Sequence, residues 1–434
     1  MPQERLHRFR LNKAKSDVDR ALCFVVRSAY ANISAYRRLL DAAAVSANDL
    51  HGVEDLPRFP IVRRDTFFVD APLADRIHQR ADPSRCARSL TSGSQGIPIT
   101  VYLARSEALF RKLLLLRAWG RGIPLRFPLT VIDVGTLVDA RSEVEVRWHG
   151  AIRVVRVSIA SLDEVDIGVL ARFRGAVLSG FPSSLTLLAE RVVRESSALS
   201  VKLVATRGEI LHDEVRDSLG RAFGCRVMDF YNSEEVGNIA SQCPANPHAL
   251  HVNSDGCVVE IVDELGVRQP DGSPGRILVT NLYNCTMPFI RYDLQDRGAF
   301  VSVVGDRCAC GSKQPTMQVV QGRDDDHLLR TDGHRVSPRL VATVLERSVD
   351  ALRIDGTQDT LYRRYQIVQD ATEHVTVRVV PIPHVDLRIE ESIYAAFRKI
   401  DPRMHCDVVF VDDLPAEPSG KFRKVMRTFG SAGE

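Results

Sequence analysis

The chain lacks a surplus of charge of either sign and lacks any long apolar run. Its 434 residues carry 58 Lys+Arg against 55 Asp+Glu, a formal net charge of +3. No global field recruits nucleic acid or a membrane surface, so an anionic partner has to be caught locally. The longest pure-leucine run, Leu113 to Leu116, is flanked by Lys112 and Arg117 and falls far short of the ~20 apolar residues of a membrane span. The opening residues, MPQERLHRFR, hold no apolar stretch of the kind a secretory signal requires. The expectation is a cytoplasmic protein with no nucleic-acid and no membrane partner.

Cysteine is sparse as well. Nine cysteines in a chain of this length are too sparse for a disulfide scaffold, and their odd number argues the same way, as for a protein of a reducing compartment. Cys23, Cys225, Cys257, Cys285 and Cys406 lie in mixed or apolar stretches and read as core residues, whereas Cys86 sits in a polar stretch with no evident role. Internal repeats and low-complexity tracts are missing too. What remains is 44% hydrophobic and 26% charged residues, the composition of a globular protein rather than a disordered, collagen-like or coiled-coil one. At roughly 150 residues per domain the length predicts two or three domains.

Apolar positions at helical spacing (Val18, Ala21, Leu22, Val25, Val26) predict helix over residues 16–40, and a second helix pattern covers 104–119. Between Pro128 and Glu235 short apolar runs alternate with helices. Leu129–Val134, Ala176–Leu178, Val201–Ala205 and Val227–Phe230 read as buried strands. Pro182–Arg194 and Leu211–Phe223 read as helices, the latter ending at Gly224. This alternation predicts an α/β layer with a mostly parallel sheet. Beyond Glu235, Val258–Val262 and Ile277–Leu282 read as antiparallel strands separated by turn residues Gly266, Pro270-Asp271-Gly272 and Pro274-Gly275. A compact α+β domain follows. It has helices near 338–347 and 387–397, strands at 365–368, 375–380 and 408–411, and a basic tail from Lys421 to Lys424. The boundary falls at Gly322–Asp325, giving domains 1–322 and 323–434.

The segment Thr91-Ser92-Gly93-Ser94-Gln95-Gly96-Ile97-Pro98 combines two glycines with three hydroxyls. Such a loop can surround phosphate oxygens with backbone N–H groups and hydroxyls. Four further segments give it context. Phe230-Tyr231-Asn232-Ser233-Glu234-Glu235 follows an apolar strand, where open α/β sheets bind ligands. Arg291 to Asp296 follows another apolar stretch, Gly322-Arg323-Asp324-Asp325 opens the second domain, and Pro418-Ser419-Gly420-Lys421 lies near the C-terminus. Each taken singly has a structural alternative: Tyr231 as core, Asp296 as a turn residue, Arg323 in a surface ion pair, Lys421 as a solvated tail charge.

Taken in order, these five motifs resemble the adenylate-forming superfamily of acyl-CoA synthetases. The nearer likeness is to the phenylacetate–CoA ligase-like branch with its CapK-like relatives, and it extends from about Tyr30 to Lys421. The resemblance implies a large N-terminal α/β domain with mixed sheets and a small, mobile α+β C-terminal domain that rotates between two half-reactions. It implies ATP and Mg²⁺ as cofactors. A small-molecule carboxylic acid, aryl or small acyl, would be adenylated and then passed to CoA. The alternative acceptor is an amine, a hydroxyl or a carrier protein. A non-catalytic adenylate-binding protein is the third class, against which the set Glu235, Asp296, Arg323 and Lys421 argues.

Residue by residue, the resemblance puts Thr91, Ser92, Gly93, Ser94, Gln95 and Gly96 over the β- and γ-phosphates. Gly208 and Glu209 lie along the adenine, Tyr231 stacks on it with Asn232 and Ser233 also in the nucleotide site, and Glu235 helps hold Mg²⁺. Asp296 accepts from the ribose hydroxyls, aided by Arg323. Lys421 bridges the acyl carboxylate and the α-phosphate. Phe181 and Pro182, after Gly180, are pocket candidates. Three departures stand out: Ile97 where such loops carry lysine, Glu234 where serine or threonine usually precedes the metal carboxylate, and Asn232 in place of glycine. A carboxylate at 234 repels the substrate's own unless it turns away, is protonated, or meets a cation.

A metal site forms a separate question. Cys308-Ala309-Cys310-Gly311 is a thiol pair on a tight turn, and Cys243 with His251 could complete a Cys₃His tetrahedron for Zn²⁺, as in several relatives of the same branch. His248 competes with His251, and unliganded loop thiols are the plain alternative.

Overall fold

In the computed structural model, placement is described for residues 15–69, 71–91, 99–135, 143–147, 150–158, 166–197, 199–301, 308–321, 328–333, 362–381, 388–414 and 424–429, and for scattered residues between 335 and 348. Ser92–Gly96, Arg323 and Lys421 lie outside these. The chain divides into two compact units, one of residues 1–91, 99–125 and 228–322, the other of 92–98, 126–227 and 323–434.

The first unit is built on antiparallel strands. In spatial order they are Cys257–Val262, Gly275–Asn281, Tyr292–Val301, Thr316–Gln321, Asn246–Val252, Gly237–Cys243 and Arg226–Ser233. Helices Lys15–Asn32 and Ser34–Ala42 join their core through the predicted stripe, with Leu22, Val25 and Val26 fully buried. The strand read at Val227–Phe230 runs on to Ser233 and turns straight back. Only three residues separate it from Gly237, so its next neighbour is antiparallel. The antiparallel region therefore begins earlier than the sequence indicated.

Buried side chains fasten the N-terminal helices and connections to this sheet. Phe68 stacks on Phe289 with ring centroids 4.6 Å apart and meets Tyr292 edge-on. Arg291, in a left-handed conformation with φ 45°, sends its guanidinium to Glu260 and to the carbonyls of Pro57 and Phe59. That pins the extended connection expected around Pro57 and Pro60. The helix Arg105–Gly120 is held by Glu107, buried, whose carboxylate accepts from the N–H groups of Ala104 and Cys285 at 2.8 Å each.

The second unit contains the predicted parallel layer. Val201–Arg207, Ala176–Gly180, Leu129–Gly135 and Ile152–Ser158 pair in parallel in that order, with Glu143–Arg147 as an antiparallel edge. Helices Pro182–Arg194 and Asp213–Phe223 bury Leu185, Leu188, Leu219 and Phe223 against Ile132, Val134, Leu178 and Val204. The second helix stops at Gly224, whose φ of 59° is left-handed and whose N–H donates to the Gly220 carbonyl, as the glycine predicted. The C-terminal part is α+β. His405–Phe410, His374–Pro381, Tyr362–Ala371 and Val425–Arg427 form its sheet, with the central pair antiparallel and the outer pairings parallel. Helix Arg388–Ile400 packs Ile393 and Phe397 on Ile367 and Val377. Among the described residues no helix is long and apolar enough to cross a membrane.

Tyr36 offers a test of the first unit's packing. Its buried hydroxyl donates to the Pro288 carbonyl (2.9 Å) and accepts from the Ile290 N–H (3.1 Å). Tyr36→Phe strands two buried backbone groups and is expected to cost about 1–3 kcal/mol. Urea denaturation with an unchanged midpoint would contradict this.

Candidate active site

The hairpin between Arg226–Ser233 and Gly237–Cys243 carries most of the predicted first-unit residues. Tyr231, half-buried, donates its phenol hydrogen to Asp296 Oδ2 at 2.7 Å. The two residues expected to hold adenine and ribose are thus joined. Asp296 reaches this place through a bulge. Gln295 is left-handed, φ 60°, with its N–H held by Asp293 Oδ1 at 2.8 Å, and Arg276 grips the other oxygen of Asp293, also at 2.8 Å. The register shifts on both flanking strands here, which is how bulges re-aim a side chain.

At the hairpin tip, Glu234 and Glu235 go separate ways. Arg111, from the helix Arg105–Gly120, donates to the Glu234 and Ser233 carbonyls at 2.8 and 3.2 Å and lies 3.4 Å from the Glu234 carboxylate. The Ser89 hydroxyl donates to the same carboxylate. Of the alternatives left by the sequence, Glu234 meets a cation. The arrangement needs Gly237: its φ is 87°, and a Cβ there would lie 2.9 Å from Arg111 Nε and 3.0 Å from the Tyr283 hydroxyl. Glu235 is buried. Its Oε1 accepts from the Tyr292 hydroxyl at 3.2 Å and pairs with Arg64 at 3.7 Å. Asn232 Oδ1 accepts from Asn238 (2.8 Å), and Ser233 Oγ accepts from the Val236 N–H (3.1 Å), so both serve the hairpin itself.

Thr91 is buried at the root of the Ser/Gly-rich loop. Its hydroxyl oxygen accepts from the Ile99 N–H at 2.9 Å and from Arg64, and its own N–H donates to the Ile99 carbonyl. Residues 91 and 99 therefore clamp the two ends of the loop between strands Ala87–Leu90 and Thr100–Leu103. In the second unit, Gly208 is left-handed at φ 78°, and Glu209 accepts from the N–H and hydroxyl of Ser183 at 3.1 and 3.0 Å. That ties the segment after strand Val201–Arg207 to the first turn of helix Pro182–Arg194.

The thiol and imidazole groups also converge. One ligand atom from each of Cys243, His251, Cys308 and Cys310 lies within 4.8 Å of all the others. Cys243 and Cys308 sulfurs are 3.5 Å apart, and His251 Nε2 is 3.1 Å from Cys310 Sγ. A tetrahedral zinc with bonds of about 2.3 Å to sulfur has sulfur–sulfur edges of about 3.8 Å, so a small expansion admits the ion. His251 Nδ1 faces the Gln314 carbonyl at 3.2 Å. Because a carbonyl only accepts, Nδ1 carries the proton and Nε2 presents its lone pair to the thiols. Burial lowers the His251 pKa and pushes the Cys243 thiol up to about 11, while the Cys310 backbone N–H holds Cys308 below the ordinary thiol value. His248 is exposed and outside this cluster.

Arg64 and Arg111 are the functional residues that sequence reasoning missed. The signal for Arg111 is its place one residue after buried Phe110 and four after buried Glu107, polar groups bordering an apolar face. Arg64 follows the Pro60 connection without a pattern of its own.

Residues 328–428 match the CapK C-terminal domain model. Over 98% of this chain and 97% of its own length, the phenylacetate–coenzyme A ligase of Thermus thermophilus is 25% identical. Protein CapK of Staphylococcus aureus is 23% identical over 58% of this chain and 53% of its own. A crystal structure of 2-hydroxyisobutyryl-CoA ligase in complex with 2-HIB-AMP and CoA, 20% identical, superposes with a TM-score of 0.63, covering 97% of this chain and 91% of that one. The fold is therefore shared with that acyl-CoA ligase. Along its whole length the chain is similar to a phenylacetate–CoA ligase, and its residues 328–428 match the CapK C-terminal domain.

The Arg111 clamp is open to a double-mutant test. Arg111→Met removes one donor from the Glu234 carboxylate and from two backbone carbonyls, with an expected stability loss of about 1–3 kcal/mol. The loss should shrink when Glu234→Gln is already present. Equal losses in both backgrounds would show that the carboxylate is not the partner that matters.

Proposed function

We propose that the protein is an AMP-forming acid–CoA ligase of the cytoplasm. It activates a small-molecule carboxylic acid with ATP and transfers the acyl group to CoA. The observation that carries this reading is the Tyr231–Asp296 hydrogen bond beside a hairpin tip bearing Glu235. It unites a ring for stacking on adenine, a carboxylate for the ribose hydroxyls and a second, buried carboxylate. Similarity along the whole length of a phenylacetate–CoA ligase supports it. Residues 1–322 form the catalytic body and 323–434 the lid.

The carboxylate of the acid attacks the α-phosphorus in line and expels pyrophosphate. Thr91 braces the loop whose residues Ser92, Gly93, Ser94, Gln95 and Gly96 hold the phosphates. Gly208 and Glu209 border the adenine, Arg323 assists Asp296, and Lys421 bridges the acyl carboxylate and the α-phosphate, neutralising the charge that develops there. Glu235, whose Oε1 meets Tyr292 and Arg64, would help hold Mg²⁺, which when bound would offset phosphate charge. Glu234 no longer argues for a different acceptor. Its charge is balanced by Arg111, and CoA is preferred to an amine, a hydroxyl or a carrier protein.

Cys243, His251, Cys308 and Cys310 fit a structural Zn²⁺. Four protein ligands leave no open position for a substrate or water. The metal would fasten the turn at Cys308–Gly311 to the strands Gly237–Cys243 and Asn246–Val252.

Lys421→Ala is expected to reduce ATP–pyrophosphate exchange by the equivalent of about 2.7–4 kcal/mol, with thermal stability unchanged. Normal exchange in the variant would remove Lys421 from the mechanism. Asp296→Ala should weaken ATP binding by about 1.5–3 kcal/mol in isothermal titration while leaving binding of the acid alone. Protein prepared without chelator should hold about one zinc per chain. Cys308→Ser should lose metal and thermal stability together, and His248→Ala neither. Elemental analysis finding no zinc would leave the four groups as ordinary thiols and a buried histidine.

A further inference from the structure

The helix Arg105–Gly120 ends beside the thiol and imidazole cluster. Arg117, in its last turn, pairs with buried Asp255 and also donates to Asn253 Oδ1. Arg121, the residue after the helix, donates from Nη2 to Gln314 Oε1. The backbone carbonyl of the same Gln314 faces His251 Nδ1 at 3.2 Å. One residue thus joins a guanidinium to the histidine whose Nε2 faces the thiols.

The charges here do not close without a further anion. Arg117 is answered by Asp255. Among the described residues no carboxylate pairs with Arg121, and its side-chain partner, the Gln314 amide, is neutral. Burial holds the Arg121 pKa below the ordinary arginine value and the charge of Arg117 adds to this, while Asp255 and Cys310 act the other way. Lys313, on the turn after Cys310, is exposed, so its charge is solvated. A guanidinium partly withdrawn from water with no anion to meet it is costly. A helix C-terminus favours a cation through its unpaired carbonyls, but that effect is indifferent to what the neighbouring thiols hold.

Cys243, Cys308 and Cys310 lose their protons to solvent on binding Zn²⁺, and His251 binds neutral. Three negative sulfurs against a dication leave one negative charge, which matches the one unanswered positive charge. We propose that Arg121 is the counter-charge of the metal centre and, through Gln314, the residue that holds His251 in its ligating orientation. The proposal rests on the zinc reading above. Partners beyond the ligands orient them and tune the metal, and losing one lowers affinity by about 10–100-fold. The helix that carries Arg111 to the hairpin tip is then fastened at its other end to the metal centre.

Full-length protein, stripped of metal and reloaded, tests this by competition for Zn²⁺ against a chromophoric chelator. Arg121→Gln keeps an N–H donor for Gln314 and removes the charge, and should weaken zinc binding by about tenfold or more. Arg121→Lys, which keeps the charge, should recover most of that loss. Thermal unfolding reads the same coupling: the glutamine substitution should lower Tm more with zinc bound than without. Equal affinity in wild type and the glutamine variant, as a purely helix-capping arginine would give, overturns the role of Arg121. Equal losses with glutamine and lysine do the same. So does a glutamine variant that fails to fold under metal-free conditions where wild type folds, because the residue then serves the fold itself. Each of these results leaves the zinc site standing. Wild type that takes up no zinc overturns both the metal reading and the proposal built on it.

Discussion

One buried guanidinium joins the two ends of the site in the first unit. Arg64 donates to the hydroxyl oxygen of Thr91, at the root of the Ser/Gly-rich loop, and pairs with Glu235 at the hairpin tip. A buried charge with a lost partner is costly, and breaking such a pair from one side costs about 3–5 kcal/mol. The loop root and the carboxylate proposed for Mg²⁺ are therefore held in one fixed relation. Tyr292 adds a second hold on Glu235, and Phe68 and Phe289 pack the Tyr292 ring in turn. Aromatic packing far from the hairpin thus reaches its tip through one phenol.

Arg111 plays the matching part for Glu234. A second carboxylate beside Glu235 would by itself raise the energy of binding another anion. The guanidinium answers both the backbone carbonyls of the hairpin and the carboxylate, so the tip offers one balanced pair and one carboxylate proposed for metal. Glycine at 237 is what makes room for it. The departure at 234 is a local substitution of one hydrogen-bonding scheme for another. It does not demand a different reaction.

Much of the architecture was legible because it follows from short-range pattern. The helix Pro182–Arg194 was bounded by its N-terminal proline and the end of its apolar stripe, and the helix ending at Phe223 by the left-handed glycine after it. The parallel strands Leu129–Gly135, Ala176–Gly180 and Val201–Arg207 read as continuous apolar runs since both faces are largely covered. Strands Tyr292–Val301, Thr316–Gln321 and Gly237–Cys243 were not distinguished. Their polar residues, Asp293, Gln295, Asp296 and Asn238, serve bulges and hydrogen bonds that interrupt any two-residue alternation.

By itself the sequence determined the order of motifs, the α/β character and the residue types able to bind a nucleotide or a metal, since these depend on composition, spacing and turn chemistry. Only the tertiary structure decided which groups meet. It brought Tyr231 to Asp296 across 65 positions by a bulge. It chose His251 over His248, because one lies on the buried side of the strand Asn246–Val252 and the other on its exposed end. It supplied Arg64 and Arg111 as counter-charges, and it put Arg207 beside Asp133 across strands far apart in the chain. Charge balance is a sum over neighbours in space, and a sequence orders neighbours only along the chain.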